Sequence, residues 1–453
     1  MLYSIIRFFV KIAAYIFFKR IHIKNLESIP TNVPLIIAAN HPNTLLDPVV
    51  IAVNLKQTIH FLAKSTLFKT SVHRWLMSKL NMIPIYRKQD VPVELRANNE
   101  AIFKKCFEFL AKGGSMMIFP EGISLIERRL REIKTGAARI ALGAESENNF
   151  GLNMAIITIG LNYSAPEQFR SEVFINIHEP IFIKTYEELY KKNQHQAVEA
   201  LTEQIRVNLE EQTIITKDDQ EDELVKNIDK IYKNKLAQEL HLADNDIEED
   251  FMITKGFTDA LHYFEEKNPL KIIDLKEKVT KYSHQLNHLQ IEDSFLSERK
   301  KRQNILSLLL LSTFYLLIGF PLYVFGLISN YIPYILPSKV ADAFVKEIEF
   351  RASVMFVTGI FSFTIYHGVQ VLACQMFFHN IWITIAYAIF LPVSGFFTLF
   401  YWQKLESTAQ YWRLFRLFFT KNAVIASLLK QRIEIIHWLE SAKKEYLAYL
   451  QQK

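Results

Sequence analysis

Val33-Pro34-Leu35-Ile36-Ile37-Ala38-Ala39-Asn40-His41-Pro42-Asn43-Thr44-Leu45-Leu46-Asp47-Pro48 is the stretch from which the rest of the chain is read. Residues 33–39 form an apolar run that reads as a strand, and the loop that follows presents one His and one Asp. Such a loop has the parts for base catalysis on a hydroxyl. An imidazole near neutral pKa can take the proton, while a carboxylate on its far nitrogen fixes the tautomer and stabilises the imidazolium. Two loop polars at this spacing are common, so the pair gains its meaning from two further strand ends.

The apolar run 116–119 leads into Phe119-Pro120-Glu121-Gly122-Ile123-Ser124, and between the two lies Asn81-Met82-Ile83-Pro84-Ile85-Tyr86-Arg87, a short β-type run ending in a fixed cation. Three strand candidates thus each end in a polar cluster, and in an open α/β sheet the loops at strand ends gather at one edge and form the site. His-x5-Asp, Ile-Pro-Ile-x-Arg and Phe-Pro-Glu-Gly, in this order and spacing, resemble the phospholipid/glycerol acyltransferase family. The resemblance covers residues 1–215, about half of the chain. It implies an α/β acyltransferase domain, a mixed central sheet flanked by helices. It also implies that His41 is the general base on the acceptor hydroxyl and that Asp47 orients it. Arg87 would help hold the acceptor's phosphate, Glu121 would position the acceptor, and Gly122 would make a close backbone turn. The commonest family spacing has one residue fewer between His and Asp. The longer loop, with Gly160-Leu161-Asn162-Tyr163 and Phe169-Arg170-Ser171, resembles the branch of fungal-type glycerol-3-phosphate and dihydroxyacetone-phosphate acyltransferases. The class follows from these blocks; the acceptor stays open.

The chemistry stands on physical grounds as well. A thioester is already an activated acyl donor, so the site must position a hydroxyl, remove its proton and stabilise a tetrahedral oxyanion, with no cofactor beyond the co-substrate, acyl-CoA or acyl carrier protein. Asn43 and Lys64 join the substrate-binding candidates. Lys64 follows the apolar His60-Phe61-Leu62-Ala63 and could meet a phosphate, or could be a solvated loop lysine. Lys134-Thr135-Gly136-Ala137-Ala138-Arg139 opens a small-residue helix whose N-terminus could face an anion; close packing on the sheet explains its glycine and alanines equally well. No metal-ligand spacing occurs, since the two cysteines, Cys106 and Cys374, are far apart and lack clustered histidines.

Composition frames the rest of the chain. Half of its 453 residues are hydrophobic, 35 of them Phe, and two tracts without any Asp, Glu, Lys or Arg account for this: 303–338 and 352–403. A transmembrane helix needs about 20 apolar residues. The second tract fits two spans breaking near His379-Asn380. The first fits one span with a long tail, or two shorter helices bent at Pro321 and Pro333. An integral membrane protein follows. Arg299, Lys300, Lys301 and Arg302 before the first tract, and Lys404, Arg413, Arg416 and Lys421 after the second, both argue for a cytoplasmic side. Two inside ends require an even number of crossings, whereas the simplest count gives three. Either the first tract is a hairpin, or one segment dips in and returns with residues 339–351 at the interface.

Residues 1–20 alternate apolar residues with Arg7, Lys11, Lys19 and Arg20, and lack the cleavage site of a signal peptide, which suits a helix lying in the headgroup region. The whole chain carries a formal charge of +6, which hides an asymmetry: residues 1–90 hold twelve Lys/Arg against three Asp/Glu. That excess favours anionic lipid and phosphorylated substrates; no nucleic-acid recognition motif accompanies it. Residues 216–302 read as a charged helical connector with a break at Asn268-Pro269. The acid-rich stretch 244–250 lacks the glycine and terminal Glu of a calcium loop. Residues 404–453 read as amphipathic helices near the membrane surface. Two rival classes remain beside the enzyme: a non-catalytic membrane lipid-binding scaffold that kept the fold, and a thioesterase or lipid hydrolase.

Overall fold

The computed structural model describes residues 2–85, 98–239, 246–297, 302–420 and 422–452. Arg87, Arg299, Lys300, Lys301, Lys421 and the first part of the acid-rich stretch 244–250 lie outside the described residues. The chain divides into two units, Met1–Ile215 with Phe344–Phe356, and Thr216–Ala343 with Val357–Lys453.

The first unit is built on one sheet. Its strands are β1 (Arg20–Lys24), β2 (Leu35–Ala39), β3 (Ile59–Lys64), β4 (Met82–Ile85), β5 (Ser115–Ile118), β6 (Ala155–Tyr163), β7 (Glu172–Ile177) and β8 (Ile181–Phe182). They lie in the order β1-β7-β6-β2-β5-β3-β4, with β8 beside β6. The five strands β6, β2, β5, β3 and β4 run parallel, whereas β7 returns antiparallel on β6 and carries β1 with it. The predicted mixed sheet is therefore present. β2 sits at its centre because all five of its residues are apolar and can be buried on both faces. Ile36 and Ala38 pack with Cys106 and Leu110 of the helix Asn98–Ala111, with Ala137 and Ala141 of Gly136–Glu147, and with Leu201 and Ile205 of Gln194–Gln212. The alanines of Gly136–Glu147 serve close helix–sheet approach, the packing alternative of the sequence reading. Because β2, β5, β3, β4 and β6 are parallel, the loops after Ala39, Ile118, Lys64, Ile85 and Tyr163 all leave from one edge.

Gly160 shows how tightly β6 is covered. A Cβ there would lie 2.4 Å from the Gln212 backbone oxygen and 2.8 Å from its carbonyl carbon. Backbone gives way less readily than side chain. Gly160→Ala is expected to destabilise this unit by about 1–3 kcal/mol, read as a lowered melting temperature in detergent; an unchanged melt would show that the helix end bearing Gln212 shifts freely.

The helix Leu2–Phe17 buries Ala14 and Phe17 and exposes Ile5, Phe8, Phe9, Ile12, Tyr15 and Ile16. Those six recur at helical spacing, so the exposed stripe is apolar and continuous, as a headgroup-region helix requires.

The second unit is helical. Asp219–Glu239, Ile247–Lys267, Pro269–Leu289 and Asn422–Gln452 share an apolar cluster that includes Leu224, Ile228, Tyr232, Leu275, Val279, Tyr282, Leu428 and Ile435. The expected break is at Asn268, whose side chain accepts from the Lys271 N–H while Pro269 starts the next helix. In the tail, Ile425, Leu428, Ile435 and Leu439 pack with the connector helices.

Among the described residues three helices are long and apolar enough to cross a membrane, within Leu306–Phe344, Ile348–Phe378 and Ile381–Leu417. The first tract is one continuous helix, Arg302–Phe344, passing through Pro321, Pro333 and Pro337, and forms neither a hairpin nor two short helices. A proline removes one backbone bond, which leaves the turns on either side to hold the helix together. The break at His379-Asn380 is as expected: His379 takes φ +49°, and the Asn380 side chain accepts from the Trp382 N–H at 2.9 Å.

Candidate active site

The site grows from the end of β2. Asn40 is tied to the neighbouring strand by a reciprocal pair: its amide donates to the Leu161 carbonyl at 3.0 Å and its oxygen accepts from the Leu161 N–H at 2.7 Å. The next residue, His41, therefore leaves the sheet in a fixed direction. Its ring stacks on Phe119 with centroids 3.9 Å apart and planes 12° apart. His41 Nδ1 lies 2.8 Å from Asp47 Oδ2.

Asp47 is fully buried, whereas the His41 side chain keeps 18% exposure. The carboxylate is saturated with donors. Oδ2 also accepts from the Asn43 N–H at 2.6 Å, and Oδ1 accepts from the Tyr163 hydroxyl at 2.7 Å. Burial, together with the charge and hydrogen bond of Asp47, pushes the Tyr163 hydroxyl well above its ordinary value, so it remains a donor. With two donors already pointing into it, the carboxylate accepts from His41 Nδ1–H too. That tautomer leaves the lone pair on Nε2, the atom able to take a proton from a substrate.

The Phe-Pro-Glu-Gly turn clamps this loop from the other side. Glu121 is buried; its Oε1 accepts from the His41 N–H and its Oε2 from the Arg131 N–H, both at 3.0 Å. Burial lifts the Glu121 carboxyl above its usual range, against the pull of those two N–H groups. Leu125 N–H donates to the His41 carbonyl at 3.2 Å, and Thr44 N–H to Ser124 Oγ at 2.9 Å. Gly122 takes φ +71°, and a Cβ there would lie 2.5 Å from Lys134 Nζ. The glycine lets the turn form and lets an ammonium group lie over it.

The structure thus brings His41, Asp47, Asn43, Glu121 and Gly122 together at one sheet edge. Asn43 is fully buried and spends its amide on the Pro166 carbonyl at 2.6 Å. It and Glu121 both bond to the backbone of the loops that frame this edge. Lys64 closes β3 at the same edge, partly exposed and in register with Ile85 of β4. Arg87, two residues further on, lies outside the described residues. Tyr163 and Lys134 are additions. Tyr163 ends a largely apolar strand, and its hydroxyl at that strand end was the available signal. Cys106 offers no nucleophile, since burial pushes its thiol up to about 12.

Residues 20–162 match the family model described as Acyltransferase. The chain carries an acyltransferase-family domain. The match begins with β1 and ends within β6, so the acyltransferase domain is the sheet that presents His41 and Asp47. Similar curated proteins include glycerol-3-phosphate O-acyltransferase 1 of Saccharomyces cerevisiae, 28% identical over 210 residues, which cover 45% of this chain and 26% of that protein. A chloroplastic 1-acyl-sn-glycerol-3-phosphate acyltransferase of Arabidopsis thaliana is 30% identical over 138 residues, 30% of this chain and 36% of that one. The match therefore spans only about a quarter to a third of those relatives' lengths. Among solved structures, the 1-acyl-sn-glycerophosphate acyltransferase from Thermotoga maritima is similar with a TM-score of 0.33 and 19% identity, over 46% of this chain and 79% of that one.

Proposed function

We propose that this chain is a membrane-bound O-acyltransferase of phospholipid biosynthesis that moves a fatty acyl group from acyl-CoA or acyl carrier protein to a hydroxyl of glycerol-3-phosphate. The observation that carries the reading is the His41 Nδ1–Asp47 bond, with Nε2 left to act and the pair set in an acyltransferase-family domain. The acceptor oxygen attacks the thioester carbonyl as Nε2 takes its proton, and Asp47 stabilises the imidazolium. The tetrahedral intermediate then collapses, the C–S bond breaks, and the thiolate recovers the proton from His41. Transfer is direct, through a ternary complex, and needs no covalent acyl-enzyme. The acceptor's phosphate is assigned to Lys64 and Lys134 at the same edge, and to Arg87, which the family resemblance gives that role. The three apolar helices anchor the enzyme, with the acyltransferase domain facing the cytoplasm, where thioester donors are made.

A second reading is lysophosphatidate as acceptor. The exposed apolar stripe of Leu2–Phe17 favours it, because a helix seated in lipid brings the domain to a lipid substrate. Membranes containing the protein, given labelled palmitoyl-CoA with either glycerol-3-phosphate or lysophosphatidate beside a His41→Ala control, decide between the two. Product from glycerol-3-phosphate alone is the expected result, and product from lysophosphatidate alone selects the second reading. Acyl release without acceptor at the rate of transfer marks a hydrolase. Absence of transfer from palmitoyl-CoA, and from palmitoyl-acyl carrier protein in a repeat of the assay, with His41→Ala leaving cellular function intact, marks a scaffold.

A further inference from the structure

The chain between the first two apolar helices does not stay with the helical unit. Phe344–Phe356 belongs to the same compact unit as the acyltransferase sheet, although roughly three hundred residues separate it in sequence from the loop it meets. It contains the short turn Ile348–Phe350 and the first turns of the helix Arg351–Phe378. Ala352, Ser353 and Phe356 are buried, and the Phe356 ring meets Phe17 edge to face at 5.5 Å.

Where this segment touches the catalytic loop is specific. Thr44, midway between His41 and Asp47, has φ +30°. A β-branched residue in that region is strained, and it persists only where its surroundings hold it. Thr44 Oγ1 donates to the Glu349 carbonyl at 3.1 Å and lies 2.6 Å from Ser353 Oγ. A carbonyl can only accept, so the Thr44 proton is committed there and the Ser353 hydroxyl donates to Thr44. Ser353 Oγ in turn accepts from the Leu45 N–H at 3.2 Å. Arg351 donates to the Glu167 carbonyl at 3.3 Å, one residue from the Pro166 carbonyl held by Asn43. The loops after β2 and β6 are thus both gripped by one short segment that includes the first turns of a candidate membrane span.

We infer that Phe344–Phe356 is a strap that holds the catalytic loop in its strained, productive turn, with Ser353 as a positioning residue for His41 and Asp47. The inference rests on the acyltransferase reading of that pair. It makes the junction of two apolar helices, with the first turns of the second, part of the active-site frame, and so explains why a loop one residue longer than the usual family spacing keeps a fixed His–Asp geometry.

The test uses the full-length protein in detergent or liposomes. Ser353→Ala is expected to lower kcat by about tenfold while KM for donor and acceptor stays within about twofold. Ser353→Thr, which keeps the hydroxyl, recovers most of kcat. Thr44→Val combined with Ser353→Ala loses less than the sum of the two single losses, because both remove the Thr44–Ser353 bond while each removes one other bond of its own. Hydrogen exchange in the peptide holding Thr44 and Leu45 quickens in Ser353→Ala. Unchanged kcat and exchange in Ser353→Ala would overturn the strap. So would a loss that tracks melting temperature, raises KM and is not recovered by Thr. If the wild-type protein transfers no acyl group, the acyltransferase reading fails instead, and the exchange measurement still decides whether the strap holds the loop.

Discussion

His41→Ala is expected to lower kcat by about three orders of magnitude while leaving the fold in place, because the change removes the base and little of the frame. Asp47 loses one donor of three. The Asn43 N–H at 2.6 Å and the Tyr163 hydroxyl at 2.7 Å remain, so the buried carboxylate is not stranded. The Glu121 bond to residue 41 is made to its backbone N–H, which alanine keeps. The structural cost is one charge-assisted hydrogen bond and the stacking on Phe119, about 1–3 kcal/mol. Transfer assayed with saturating palmitoyl-CoA, beside a thermal melt of the same preparation, checks both halves. A variant that melts near the wild type and still turns over within tenfold of it would remove His41 from the role of base.

How much of this was legible follows from the range of each interaction. β2 and its loop could be read because an apolar run followed by His and Asp at fixed spacing is local. β5 and its Phe-Pro-Glu-Gly turn could be read for the same reason, and the parallel order then brings both loops to one edge. The hydrogen bonds of Asn43 and Glu121 could not. A polar residue in a catalytic loop looks the same whether it meets a ligand or a backbone N–H, and only burial separates the two. Tyr163 stands 116 residues from Asp47. Its strand was noted as a branch marker, yet an aromatic residue at a strand end reads as core until its hydroxyl is placed. Ser353 lies beyond any such reading. It stands 309 residues from Thr44, in what composition marks as the mouth of a membrane span. In the C-terminal tail, periodicity gives the existence of an apolar face and not what covers it; there Ile425, Leu428, Ile435 and Leu439 pack with the connector helices.

Asp47→Asn is the sharper probe of the site, because the donors around residue 47 determine how the amide can sit. Oδ2 receives both the Asn43 N–H and His41 Nδ1–H, so an NH2 group there would face two donors. The amide oxygen therefore takes that place, and the NH2 group is turned towards Tyr163. The His41 tautomer survives with Nε2 still able to accept a proton. What is lost is the negative charge 2.8 Å from the ring, which stabilises the imidazolium formed as the acceptor is deprotonated. The expected result is a fall in kcat of about a hundredfold, smaller than for His41→Ala, with KM for both substrates little changed. The Tyr163 hydroxyl now faces an NH2 group in a fully buried place. Its oxygen can accept from that group while its own proton loses the carboxylate, so Tyr163→Phe should weaken the wild-type enzyme and cost Asp47→Asn less. Measured as a double-mutant cycle, strong coupling between the two positions is required. Additive losses would mean that Tyr163 acts elsewhere than through Asp47. A loss for Asp47→Asn as deep as that of His41→Ala would mean that the amide had turned the other way and taken the Nε2 lone pair out of use.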